Sequence, residues 1–166
     1  SNEEKAARFE RAVRSIQECA DYAAAHGIKL CIEPLNRFET DMINTVSQAI
    51  ELLNVVGKDN VGLLLDTFHM NIEEENMYDA IRAAKGHLID FHACANNRGT
   101  PGKDNLNWSE IRKALRDINY DGILVIESFT PDCVEIAKAA SMWRPWASSP
   151  EALASDGVKF LRNMFE

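Results

Sequence analysis

No run of about 18 consecutive apolar residues occurs in this 166-residue chain, so a membrane-spanning helix is not expected. The opening SNEEKAARFERAV also lacks the apolar core of a signal peptide, which makes a cytoplasmic location the expectation. Cysteine is sparse and dispersed: Cys19, Cys31, Cys94 and Cys133 form no C-x-x-C pair. That spacing argues against a zinc knuckle or a disulfide framework and leaves four reduced, mostly buried thiols. Positive charge is in deficit, with 18 Lys and Arg against 26 Asp and Glu and a formal net charge of −8. Nucleic-acid binders concentrate basic side chains on one face, so this balance argues against a phosphate-backbone partner. No linker divides the chain, and its length suits a single domain over residues 1–166, given typical domains of ~100–150 residues.

What is present is a repeating alternation. Phe9, Val13, Ile16, Ala20 and Ala24 share one face of a helix over residues 3–26, which Gly27 stops. IKLCIEP then reads as a strand near 28–33, closed by Pro34, and Thr45 is placed to cap the helix VSQAIELLNVV, closed by Gly57. VGLLLD (61–66), HLIDFH (87–92) and GILVIE (122–127) are the next strands. Between them lie a helix at 76–84, a Gly/Pro-rich loop at 96–105 and a helix after Ser109, and two more helical stretches follow near 132–141 and 150–165. Strands that are apolar throughout and alternate with helices predict a parallel sheet covered on both faces, an α/β fold. Trp108, Trp143 and Trp146 suit packing, while Phe38, Phe68 and Phe129 follow strand ends where they can wall a pocket.

Each strand also finishes on a side chain able to bind a cation: Glu33, Asp66, His92 and Glu127, separated by 33, 26 and 35 residues. In parallel α/β folds the carboxyl ends of strands converge on one rim, so these four are expected to gather there. A single carboxylate after a strand is ordinarily a loop residue or helix cap, but the same placement at four consecutive strands indicates a shared site. Three carboxylates and an imidazole suit Mn²⁺ or Mg²⁺, with Co²⁺ as a substitute, better than structural zinc. Glu39, His69 and Arg98 follow these positions by six, three and six residues. They are placed either to hydrogen-bond a polyhydroxylated ligand at the same mouth or to serve as solvated loop polar groups.

Taken in order, IEPLNRFE, LLLDTFHMNIEE, FHACANNRGTPG and ILVIESF resemble the second half of ketose 3-epimerases of the D-tagatose/D-psicose type, in the xylose isomerase-like barrel superfamily. The resemblance implies half of a (β/α)8 TIM barrel with Glu33, Asp66, His92 and Glu127 as ligands of a divalent metal, Mn²⁺ above all. It further implies that Glu33 and Glu127 are the two catalytic carboxylates and that Glu39, His69 and Arg98 hold the ketose. Epimerisation at C3 through an enediolate needs one base on each face of that carbon, which a pair of glutamates on different strands supplies. Ala95 departs from the family, several members of which carry a glutamate there.

A complete barrel of this kind holds eight βα units in ~250 residues, and four are present. The edges and inner face of such a half need a cover, either a second copy in a homo-oligomer or a missing N-terminal half-barrel. Two alternatives to the epimerase follow: a related isomerase of sugars or hydroxypyruvate, and a non-catalytic, self-associating half-barrel.

Overall fold

A computed structural model of the chain describes residues 2–165. Four strands, β1 (Leu30–Ile32), β2 (Val61–Asp66), β3 (Leu88–His92) and β4 (Leu124–Val125), form one parallel sheet in sequence order. Seven helices alternate with or follow them: α1 (Asn2–Ala25), α2 (Val46–Val56), α3 (Thr67–Glu73), α4 (Met77–Ala83), α5 (Trp108–Asp117), α6 (Val134–Ala139) and α7 (Pro150–Phe165). This is the predicted α/β half-barrel. The two outer strands are shorter than their apolar runs because each has a ladder partner on one side only, and β4 pairs with β3 only at Phe91 with Leu124 and His92 with Val125.

Local chemistry explains the element ends. Thr45 and Gln48 close a reciprocal capping box on α2, and Gly57 ends it in the left-handed region at φ +62°. Helix α5 starts earlier than expected, because Asn107 rather than Ser109 accepts the Glu110 N–H; the Ser109 hydroxyl instead donates to Asn107. Helix α3 was not expected at all. It forms because Asp66 accepts the Phe68 N–H at 2.7 Å and so nucleates a turn at the very end of β2.

The core lies on one side of the sheet. Leu63 and Leu65 are fully buried beneath Leu52, Val56, Ile81, Ile111 and Leu115 of the helical layer. The opposite face carries Cys31, Leu64, Asp90 and Ile123, of which Cys31 and Ile123 are exposed. Burial on both faces is therefore not found among the described residues, since the helices cover only one. The thiols are mostly exposed rather than buried: Cys94 is buried, whereas Cys19, Cys31 and Cys133 are exposed. On α1 it is Ala23, not Ala24, that turns inward, and Trp143 is exposed while Trp108 packs edge-on against Phe160. Beside β4 an apolar groove of about 770 Å³ runs along α7, lined by Leu124, Ile126, Leu153, Val158 and Leu161.

Register is adjusted once. Between the pairs Leu63 with Leu88 and Leu64 with Asp90, β3 holds one extra residue, Ile89. Its side chain lies over Gly62, where a Cβ would also meet the His87 carbonyl oxygen at 2.6 Å. The bulge brings His92 level with Asp66 at the carboxyl ends of the strands.

Candidate active site at the strand ends

At those ends lies a cavity of about 800 Å³ bordered by Glu33, Glu39, His69, Arg98 and Glu127, walled by Phe38, Phe68 and Phe129 and flanked by α6. Glu33 follows β1, Asp66 ends β2 and caps α3, His92 ends β3, and Glu127 follows β4. A strap fixes the middle of this rim: the Thr67 hydroxyl donates to the Cys94 carbonyl at 2.5 Å and accepts the Cys94 N–H at 2.8 Å.

Asp66 is buried and uses its two oxygens differently. Oδ1 accepts the Phe68 N–H, and Oδ2 accepts Arg98 Nη1 at 2.6 Å. The same Nη1 reaches Glu127 Oε2 at 2.9 Å, and His92 Nδ1 lies 3.2 Å from that oxygen. Arg98 borders this mouth as a buried group rather than a solvated loop side chain. It is 5% exposed, sits between the carboxylates, and stacks 4.0 Å from the Phe68 ring and 5.2 Å from that of Phe129. Its backbone is in the left-handed region at φ +60°, a conformation costly for an arginine and held by the surrounding contacts.

These environments push proton affinities apart. Burial raises Glu33 to about 7, reinforced by repulsion from Asp66 and Glu127. The hydrogen bond from His92 lowers Glu127 to about 2, with help from Asp66 and Arg98, and the same bond raises His92. Burial raises Asp66 against the pull of Arg98, and burial lowers His69. Paired carboxyls driven in opposite directions are the arrangement acid–base chemistry uses.

Potential ligand atoms fall into two overlapping groups, each within 4.8 Å: Asp66, His92, Cys94 and Glu127, and Glu33, Asp66 and His69. Asp66 belongs to both. The four residues expected from the sequence thus converge, but Glu33 joins through Asp66 rather than through one compact set. Carboxylate oxygens with an imidazole suit a hard divalent cation. Cys94 is less suited, since burial and the neighbouring Asp66 raise its thiol and hold it neutral. The signal for it in the sequence is its place two residues beyond His92, on the same side of the chain. Asn36 is the other residue missed; it is buried between His69 and Glu39.

The sequence profile of the xylose isomerase-like TIM barrel matches residues 1–164. The chain belongs to that family. Within this barrel family it is 48% identical over 139 residues to a probable ketose 3-epimerase of Synechocystis sp., covering 84% of this chain and 48% of that protein. It is 43% identical over 153 residues to a D-psicose 3-epimerase of Agrobacterium fabrum, covering 92% and 53%. Among solved structures, a D-psicose 3-epimerase crystallised in the presence of D-fructose superposes with a TM-score of 0.91 at 41% identity, over 97% of this chain and 57% of that one. The chain therefore spans about half the length of the barrel relatives it matches.

Proposed function

We propose that the chain is the metal-binding, acid–base half of a ketose 3-epimerase. The observation that carries this reading is the meeting of Glu33, Asp66, His92 and Glu127 at the carboxyl ends of four consecutive strands, with Glu33 and Glu127 on one cavity. A divalent cation held by Glu33, Asp66, His92 and Glu127, Mn²⁺ in preference to Mg²⁺ or Co²⁺, would polarise the ketose carbonyl. Glu33 and Glu127 are suited to exchange the C3 proton from opposite faces, one taking it and the other returning one, with the cation they share setting their charge in the loaded site. Arg98 and Glu39 supply a donor and an acceptor for sugar oxygens, and Phe68 and Phe129 line the same cavity.

Proton exchange at C3 tests this. Incubating the Mn²⁺-loaded chain with D-fructose in D₂O should place deuterium at C3, seen by NMR, and Glu127→Gln should abolish it. Label at C1 instead would point to the sugar or hydroxypyruvate isomerase alternative.

The exposed inner face of the sheet and the groove beside β4 favour a second element of the reading. Two unpaired sheet edges call for another half-barrel, either a second copy or an N-terminal half. Light scattering that shows a dimer dissociated by Ile123→Lys supports the second copy; a monomer captured by the half-barrel of a relative supports the other. Self-association without deuterium uptake would leave the non-catalytic half-barrel.

A further inference from the structure

The motif LLLDTFHMNIEE ends on two glutamates that the chemistry above does not use. Glu73 is the last residue of α3 and Glu74 its C-cap, on the helix that Asp66 begins and that carries His69. Both side chains turn back to the segment between β1 and α2. Glu73 Oε1 accepts the Arg37 backbone N–H at 2.7 Å and Nε of the same residue at 2.9 Å, while Oε2 accepts Nη2 at 3.1 Å. Glu74 Oε1 accepts the Val46 N–H at 2.7 Å, one of the donors that the first turn of α2 cannot satisfy itself. Neighbouring carboxylates thus grip residues 37 and 46, the two ends of one segment.

The two ends differ in what else holds them. Ile43 and Val46 are buried in the core, so the far end would stay in place without Glu74. Arg37, Phe38 and Glu39 are exposed, and they form a turn closed on itself by the Glu39 and Thr40 N–H groups donating to the Asn36 carbonyl. Phe38 and Glu39 border the strand-end cavity, yet burial does not anchor them there. The Arg8 and Asp41 pair beyond the turn is solvated and contributes little. Glu73 is different: its side chain is 6% exposed and meets a planar guanidinium edge-on while also taking a backbone N–H, a charge-assisted arrangement that fixes direction as well as distance.

We propose that Glu73 is a positioning residue: by gripping Arg37 it holds the turn that bears Phe38 and Glu39 against α3, so that Glu39 keeps a fixed place relative to the residues this helix brings to the rim. That Glu39 accepts from a ketose hydroxyl rests on the reading above; the grip does not. One short helix then serves both sides of the cavity, with Asp66 at its start on the sheet and Glu73 at its end on the turn. Holding the turn in place before a ligand arrives spares the ordering cost that a loose turn would add to binding.

Amide hydrogen exchange followed by NMR tests the grip. Glu73→Ala removes every acceptor that Arg37 uses, and the Arg37 N–H and the amides of the turn should exchange about tenfold faster while those of α2 and β2 keep the parent's rates. Arg37→Ala removes the guanidinium and leaves the backbone N–H on Glu73, so its turn should loosen less; it also decides the matter if Glu73→Ala fails to fold. Turn amides as slow as the parent's, or an equal acceleration throughout the chain, overturn the proposal. In C3 proton exchange with D-fructose, Glu73→Ala should raise KM about tenfold with kcat less affected, whereas a loss of kcat at unchanged KM overturns the positioning role. A loosened turn in a variant whose parent exchanges no C3 proton supports the grip and counts against the ketose reading alone.

Discussion

Replacing Glu33 by glutamine should make the metal-free protein more stable, and only at high pH. The Glu33 side chain is 29% exposed and holds its proton up to about pH 7 rather than 4.5. A carboxyl raised in the native state binds its proton more tightly there than in the unfolded chain. Stability therefore falls as pH climbs between those two values, at about 1.4 kcal/mol per pH unit, for a total near 3 kcal/mol. Glutamine never ionises and escapes that loss. Urea unfolding followed by circular dichroism, in EDTA, should give coincident curves at pH 4 and a variant more stable by about 3 kcal/mol at pH 8. For a chain of this size that equals about 6–12 °C in Tm. Equal differences at the two pH values, or a weaker variant at pH 8, would refute the assignment of a crowded, desolvated carboxyl. Mn²⁺ at a thousand times its Kd should invert the ranking at pH 8, since it adds about 4.1 kcal/mol to a chain whose ligands are complete.

Arg98→Met should cost about 3–5 kcal/mol at neutral pH, because it leaves the buried Asp66 carboxylate without its 2.6 Å partner; urea melts should show the deficit shrinking in acid as Asp66 takes a proton. Glu127→Gln removes the pairing with His92. The Glu127 contribution is present above its ordinary value of 4.5 and is lost as pH falls toward 2, while that of His92 is complete below 6.5 and is lost as pH rises through its raised value. The variant should therefore fall furthest below the parent between about pH 4.5 and 6.5 and converge with it in strong acid, which a Tm series across pH reads out. Gly62→Ala should destabilise by about 1–3 kcal/mol, because the new Cβ meets the Ile89 side chain and the His87 carbonyl at the bulge; an unchanged Tm would show that the bulge yields.

Most of the architecture was legible because apolar runs, glycine stops and a threonine cap marked it. Val61–Asp66 and Val46–Val56 fall where the sequence placed them. Helix α3 was hidden because its cap is the same aspartate that ends the strand, so one residue carried two signals and only one was read. Exposure of the inner sheet face was legible from the count of four βα units and not from the strands themselves: a strand rich in Leu, Ile and Val looks the same whether its second face meets helices of its own chain or the interior of a larger barrel. The rim was found through the recurrence of ligating side chains at strand ends. The burial of Arg98 among them was not, since loop spacing says nothing about which way a long side chain folds.

The two oxygens of Asp66 divide fold from chemistry at a single position. Oδ1 begins a helix, and Oδ2 supplies negative charge to the rim. Asparagine can take over the first task and not the second; alanine can take over neither. A descendant of this chain that had given up catalysis could therefore drift to asparagine at residue 66 with its scaffold intact, and the amide would be a molecular fossil of the lost reaction.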